Sequence, residues 1–139
     1  MIRAGGLVVR DPEEPARRRL DGVELTVERG TLAALVGESG SGKSTLLRVL
    51  SGFLTFDEGA VVIAGLPLRP GPSPHSLRLA LRRRAVLVLQ EANLFPHLSV
   101  TENVTLALRH VRGHDPTTAT RAAHAMLERL GLEAPRDAA

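Results

Sequence analysis

The feature that most constrains this chain is a glycine-rich run, GESGSGKST, at residues 37–45. The run has the spacing G-x-x-x-x-G-K-[ST], with Gly37, Gly42, Lys43 and Ser44 at the specified positions. Lys43 is the only lysine in the chain, and all the other basic side chains, histidine aside, are arginine. Arginine presents a planar fork and lysine a compact ammonium, so a lone lysine at this position indicates a need for the ammonium.

The segments that flank the run predict how it folds. Residues 31–36, TLAALV, form a short apolar run that is typical of a buried strand. Residues 43–51, KSTLLRVLS, carry apolar side chains at helical spacing. A strand, a glycine loop and a helix in this order predict a loop that wraps its backbone N–H groups around a phosphate at a helix N-terminus.

This arrangement predicts a site for a nucleoside triphosphate. Lys43 is expected to reach the β- and γ-phosphates, and the Ser44 hydroxyl is expected to bind Mg²⁺. The predicted nucleotide-binding residues are the whole run: Gly37, Glu38, Ser39, Gly40, Ser41, Gly42, Lys43, Ser44 and Thr45. The alternative is a glycine-serine turn that only matches the spacing, and the flanking strand and helix argue against it.

Composition excludes several other classes of protein. The chain has no cysteine, which excludes disulfides and thiolate metal sites. No apolar run approaches the roughly 20 residues that cross a bilayer, and the N-terminus lacks the longer apolar core of a signal peptide, so we expect a cytoplasmic protein. A formal charge of +3 is too small to indicate nucleic-acid binding, and no nucleic acid is expected as a partner.

The rest of the pattern alternates strands, loops and helices. We expect strands at residues 7–9, 23–27, 60–63 and 85–89, and an exposed loop at 66–76 because it holds four prolines. Helices are expected at 77–84, from Ser99 toward Arg109, and from Asp115 to Leu130. Ser99 and Glu102 have the spacing of a capping box, and Gly131 is expected to end the last helix.

Four segments together resemble the nucleotide-binding subunit of an ATP-binding cassette (ABC) transporter, especially of bacterial importers. They are LDGVELTVERG at 20–30, the glycine run and its helix at 37–47, SGFLTFDEGAVVIAG at 51–65, and VLQEANLFPHLSVTENV at 88–104. The resemblance implies an α/β fold: a P-loop NTPase core with a parallel sheet, an N-terminal antiparallel strand layer and an incomplete helical subdomain. Residues 1–139 would together be one partial nucleotide-binding domain.

The resemblance also implies a role for Gln90. It matches the family's Q-loop glutamine, which touches Mg²⁺ or the attacking water, so Gln90 is a candidate catalytic residue and metal ligand. On the residues alone, an amide after a strand is suited to orienting water and an ion. The alternative is a loop glutamine with no chemical task. His97, in the same segment, is expected to help pack the loop.

The cofactors implied by the resemblance are ATP and Mg²⁺, and the implied function is that of a partial ATPase subunit of an importer. The implied partners are the transporter's membrane subunits and a second nucleotide-binding subunit, with the protein peripheral at the inner face of the membrane. A non-transport ABC protein acting on ribosomes or DNA remains an alternative. So does a degenerate nucleotide-binding module without ATPase activity.

The sequence departs from the family's pattern in two ways. It holds no signature sequence, no second acidic strand and no switch histidine, so we expect a truncated chain with negligible hydrolysis and an uncovered apolar sheet edge. The stretch before the second strand, where the family places an aromatic under adenine, has none. Arg17, Arg18 or Arg19 is a candidate to stack instead, although a solvated loop is the favoured interpretation.

Overall fold

A computed structural model of the chain describes residues 1–91 and 94–132, and the chain folds into two compact units, Met1–Val88 and Leu89–Ala139. The first unit holds four strands and two helices: β1 (Ile2–Arg10), β2 (Arg18–Val27), α1 (Lys43–Leu50), β3 (Glu58–Ile63), β4 (Leu66–Leu68) and α2 (His75–Arg82). The second unit holds α3 (Val100–His110) and α4 (Pro116–Arg129). No helix among the described residues is long and apolar enough to cross a membrane.

The sheet of the first unit is antiparallel, with the strand order β2-β1-β3-β4. In the register of its central strand β1, Ile2 lies opposite Val27 on one side and Ile63 on the other. The buried side of the sheet and the apolar stripe of α1 share one core cluster, because each has an apolar face that water would otherwise contact. Its buried members on these elements are Ala4, Leu7, Val9, Leu20, Val61, Ile63 and Leu68 from the strands and Leu46, Val49 and Leu50 from α1.

The antiparallel layer and the helices confirm most of the predicted elements. The predicted strands at 7–9, 23–27 and 60–63 lie inside β1, β2 and β3, and the predicted helix at 77–84 is α2, which begins two residues earlier. The prediction of a loop over residues 66–76 was wrong in part. Leu66–Leu68 pairs with β3 as an edge strand, where the missing N–H of Pro67 is tolerated, and α2 already begins at His75.

Two predicted strands are not formed, so the described residues contain no parallel sheet. Residues 31–36 and 85–89 pair with no strand among the described residues. Leu32 is 100% exposed and Val36 86%, where a buried strand was predicted, and Val88 in the second segment is 87% exposed. A parallel strand is stable only between neighbouring strands and under covering helices, and no described strand pairs with either segment. The expected apolar sheet edge is therefore not formed, because these segments belong to no sheet among the described residues.

Both helices of the second unit, α3 and α4, begin with a side-chain cap where the sequence predicted a helix start. At the start of α3, the Ser99 hydroxyl accepts a bond from the Glu102 N–H, and the Glu102 carboxylate accepts one from the Ser99 N–H at 2.8 Å. Asp115 caps α4 through the Thr118 N–H, with Pro116 in the first turn. The end of α4 is closed by bonds from Gly131 N–H to the Glu128 carbonyl and from Leu132 N–H to the Leu127 carbonyl.

The capping box makes the stability of α3 dependent on pH. The bonds from the backbone N–H and then the hydroxyl of Ser99 hold the pKa of Glu102 below its ordinary value. A lowered folded-state pKa means that the carboxylate stabilises the fold above the unfolded pKa of roughly 4.3, and that this contribution is lost as the pH falls through the folded pKa. Glu102→Gln keeps the capping acceptor and removes the titration, so its stability should fall less steeply from about pH 5 to pH 3 than that of the wild type.

Urea unfolding followed by far-UV circular dichroism at several pH values measures this difference. Glu128→Gln is the matched control, because Glu128 is an exposed helical glutamate whose side chain makes no hydrogen bond in the described structure. The control should follow the wild-type slope. If the free energy of unfolding fell equally steeply with pH in the wild type and in Glu102→Gln, the stabilising role of the Glu102 carboxylate would be contradicted.

Candidate nucleotide site

Lys43 closes the glycine-rich loop on itself. Its ammonium donates hydrogen bonds to the carbonyl of Gly37 at 2.8 Å, to the carbonyl of Glu38 at 2.5 Å and to the hydroxyl of Ser41 at 3.3 Å. An ammonium has three N–H donors, and all three are used within the loop. The side chain therefore lies over the concave loop, and it must share or release one of these bonds to contact a phosphate.

The N-terminus of α1 leaves donors free beside this lysine. Gly42 is the N-cap and has no side-chain acceptor to offer. Within residues 1–91 and 94–132, the backbone N–H groups of Lys43, Ser44 and Thr45 make no hydrogen bond, and neither does the Ser44 hydroxyl. Free N–H groups at the positive end of a helix dipole bind anions.

Gly42 is held in place by a close approach to β2. A Cβ on Gly42 would lie 2.8 Å from the Arg19 carbonyl oxygen and 2.7 Å from the Leu20 side chain, and its φ is +91°. Only glycine fits both the backbone conformation and the contact. The start of β2 is thereby fixed against the start of α1, next to the free N–H groups.

This contact brings a second segment of the chain to the phosphate loop. A pocket of about 490 Å³ is lined by Asp11, Arg17, Arg18 and Arg19 from the end of β1 to the start of β2, and by Ser39, Gly40, Gly42, Lys43, Ser44 and Thr45. Six of the nine predicted nucleotide-binding residues thus line one pocket. The other three, Gly37, Glu38 and Ser41, are the residues that hold the Lys43 ammonium.

The arginine-bearing segment is braced by ion pairs and backbone bonds. Arg19 Nε donates to Asp11 at 2.9 Å, and Arg18 pairs with Asp21. The Arg19 bond, then the Glu13 N–H, holds the pKa of Asp11 below its usual value. The Asp11 N–H also donates to the Arg17 carbonyl at 2.9 Å, which closes the loop between β1 and β2. Asp11 was not among the site residues predicted from the sequence, because its pairing with Arg19 depends on how the loop between β1 and β2 closes.

Gln90 belongs to the second unit and is exposed there. Its predicted contact with an ion or water therefore stays a prediction. The neighbouring Ala92 and Asn93, part of the importer-like segment, lie outside the described residues.

Asn103 organises the rest of that segment, which the sequence patterns did not indicate. Its side chain accepts a bond from the Phe95 N–H at 2.8 Å and donates to the carbonyls of Phe95, Leu98 and Ser99 at 3.0–3.1 Å. The rings of Phe95 and His97 meet edge to face at 5.9 Å, which confirms the packing role expected for His97. One amide on the first turns of α3 thus fixes the loop that precedes the helix.

The phosphate loop and its antiparallel layer match a known family. The family described as ABC transporter matches residues 20–139 of this chain. The chain belongs to the ABC transporter family. This membership confirms the resemblance that was identified from the glycine run and the segment around Gln90.

The curated relatives of the chain include import and permease ATP-binding proteins. The chain is 41% identical over 113 residues to the methionine import ATP-binding protein MetN of Rhizobium johnstonii, covering 81% of this chain and 30% of that protein. It is 42% identical over 112 residues to the thiamine import ATP-binding protein ThiQ of a Jannaschia species, covering 78% and 44%. It is 39% identical over 127 residues to the octopine permease ATP-binding protein P of Rhizobium radiobacter, covering 86% and 48%. The chain thus spans less than half the length of these relatives.

Solved ABC structures share the fold. The dimeric, post-hydrolysis ATP-binding cassette MJ0796, bound to ADP and Pi, matches with a TM-score of 0.80 and 26% identity over 99% of this chain and 60% of that one. A second dimeric structure of MJ0796 matches equally well, at 27% identity. These matches confirm the predicted fold class, a P-loop cassette of mixed α and β structure, for the part that the chain covers.

The role of Gly42 predicts a difference between two glycine substitutions. Gly40 and Gly42 both have positive φ, but a Cβ on Gly40 meets no atom within 4 Å. Gly40→Ala should cost about 1 kcal/mol of stability through backbone strain alone. Gly42→Ala should cost about 1–3 kcal/mol more, because its methyl group must push against the Arg19 carbonyl.

The measurement is the free energy of unfolding of both variants in urea. Both substitutions introduce a side chain at a positive φ, but only Gly42→Ala also introduces a contact with the Arg19 carbonyl. Equal losses of stability in the two variants would contradict the assigned close approach between the loop and β2.

Proposed function

We propose that residues 37–45 bind the triphosphate of ATP. The observation that carries this proposal is the pocket in which Lys43 and the unbonded N–H groups of Lys43, Ser44 and Thr45 come together. A triphosphate is the ligand that such a set of donors suits, because it offers many anionic oxygens within a few ångströms. The remaining loop residues, Gly37, Glu38 and Ser41, would hold Lys43 until a phosphate replaces one of them.

The site also contains an oxygen atom that can bind Mg²⁺. The Ser44 hydroxyl is an unbonded oxygen on the first turn of α1, and Mg²⁺ prefers oxygen ligands and few protein groups. Gln90 is the second proposed ligand and is the residue proposed to orient the attacking water, on the strength of its match to the family's Q-loop. When bound, Mg²⁺ would neutralise part of the charge of the phosphates.

The chain's own groups would act by position and charge. The Lys43 ammonium would exchange the Gly37 or Glu38 carbonyl for a phosphate oxygen, trading a neutral acceptor for an anionic one. The first N–H groups of α1 would bind further oxygens without any rearrangement, since nothing in the described structure occupies them. Such fixed donors stabilise the charge that develops as the γ-phosphate is transferred.

For the whole protein, we propose the ATP-hydrolysing subunit of a bacterial importer. The support is the family membership and the import functions in the relatives' names. Residues 1–139 would form part of one nucleotide-binding domain, working with membrane subunits and with a second nucleotide-binding subunit at the cytoplasmic face of the membrane. The dimeric MJ0796 cassette supports the pairing of two such subunits.

Substitution of Lys43 tests the ATP site. Lys43→Ala should weaken Mg·ATP binding about ten- to hundredfold, because it removes a charge-assisted hydrogen bond to phosphate. Lys43→Arg should not restore the affinity, since a planar fork cannot replace the compact ammonium inside the loop. Isothermal titration calorimetry of each variant measures both effects.

Arg83→Ala is the control, because Arg83 is exposed, makes no side-chain bond in the described structure, and lies outside the pocket. It removes the same charge and should leave the affinity unchanged. Equal Mg·ATP affinities in the wild type and Lys43→Ala would refute the proposed site. If Arg83→Ala weakened Mg·ATP binding as much as Lys43→Ala, the loss of affinity would come from the change in net charge and not from a contact between Lys43 and phosphate.

A further inference from the structure

A second pocket lies beyond the C-terminal end of α1, where the chain packs against α2. Its volume is about 140 Å³, all its lining residues belong to the first unit, and it shares none of them with the nucleotide pocket. Four of its lining residues are buried members of the core: Val49, Phe56, Leu68 and Leu81. The base of this second pocket is therefore apolar and as closely packed as the core to which it belongs.

Two glycines hold the walls of the second pocket in place. Gly52, two residues after α1, has a φ of +74°, and a Cβ there would lie 2.5 Å from Cδ2 of the buried Leu81. The chain leaving α1 thus contacts α2 at a point that favours glycine. The Gly71 N–H donates to the Phe56 carbonyl at 2.8 Å, which ties the loop after β4 to the loop after α1. Because these contacts exist without a ligand, binding would not require the backbone to rearrange.

The exposed side of the second pocket carries three cations and no anion. Arg69, Arg78 and Arg82 line it, and none of its lining residues is acidic. Within residues 1–91 and 94–132, none of the three forms an ion pair. The Arg82 guanidinium lies over the ring of Phe53, 4.9 Å from its centroid. A concave site lined by one sign of charge raises the local concentration of the opposite ion, so this pocket favours an anion.

The size and the lining of the second pocket define that anion further. A cavity of about 150 Å³ holds one benzene ring, so a nucleotide is too large for this pocket. Its buried apolar residues suit a hydrocarbon group, and the ring of Phe53, which is 60% exposed, suits a flat one. Guanidinium groups bind carboxylates through paired N–H donors. A carboxylate attached to a single ring combines these features.

We propose that the second pocket binds a small organic acid, a carboxylate attached to one aromatic ring. The ring would lie against the buried side chains of Val49, Leu68 and Leu81, and the carboxylate would accept hydrogen bonds from Arg69 and Arg78. This site goes beyond the proposed ATP site and does not depend on it, because the two pockets share no lining residue.

Benzoate is the probe, and two further compounds each lack one half of it. Benzamide has the same shape without the charge, and acetate has the charge without the ring. In NMR titrations of the full chain at constant ionic strength, benzoate should shift the backbone amides of Gly52, Phe53, Gly71 and Ser73, with a Kd of roughly 1 mM for a ligand of this size. Benzamide and acetate should each bind at least about fivefold more weakly.

Three variants locate the ligand. Arg78→Gln should weaken benzoate binding about fivefold, because it removes a charged donor, and should leave Mg·ATP affinity unchanged. Phe53→Ala should also weaken benzoate binding, since it removes the exposed ring. Arg83→Gln is the matched control: Arg83 is exposed and adjacent to Arg82 but lies outside the pocket, so its loss should leave benzoate affinity unchanged. The comparison of the three probes needs no variant, so it provides the test even if a variant folds poorly.

Each contrary result identifies what fails. Equal affinities for benzoate and acetate, or equal losses in Arg78→Gln and Arg83→Gln, would make the pocket a general cationic surface and overturn the proposal. Equal affinities for benzoate and benzamide would overturn the role of the arginines. Benzoate shifts confined to Gly40 and to Gly42–Thr45 would place the anion at the phosphate loop instead. If roughly 20 mM benzoate caused no shift, the second pocket would be refuted as a site, whereas the proposed ATP site would fail only if Mg·ATP did not bind.

Discussion

The candidate site depends on the close approach of Gly42 to the backbone at Arg19. This contact sets where α1 begins and so where its free N–H groups lie. It also fixes the start of β2, and with it the loop that carries Arg17. The phosphate loop and the segment from Arg17 to Arg19 line one pocket because Gly42, at which they approach each other, has no side chain. Any Cβ at this point would push the two lining segments apart.

Most of the site could be predicted from the sequence because its parts are adjacent along the chain. The spacing of Gly37, Gly42 and Lys43 specifies a turn and a helix start whose geometry is local. Capping signals such as Ser99 with Glu102 are equally local, and the structure contains them. The pairing of Asp11 with Arg19 and the clamp formed by Asn103 depend on how loops close, and no residue pattern predicts that closure.

The failed strand predictions have a different physical cause. Residues 31–36 and 85–89 are apolar, and their pattern predicts a strand in each segment. Strand formation, however, needs a partner for the backbone as well as an apolar sequence. The described residues supply partners for β1 to β4 only, and Leu32, Val36 and Val88 are left exposed. Periodicity predicts the preference of a segment, whereas pairing depends on the other segments that are present.

Backbone amide shifts in an NMR titration with Mg·ATP test the central claim most directly, because they report where on the chain the ligand binds. The account predicts the largest changes at Gly40 and at Gly42 to Thr45. Inorganic tripolyphosphate, which has phosphates and no base, should shift the same residues. Shifts concentrated elsewhere, such as in the separate pocket beside Phe53 and Arg78, would contradict the account.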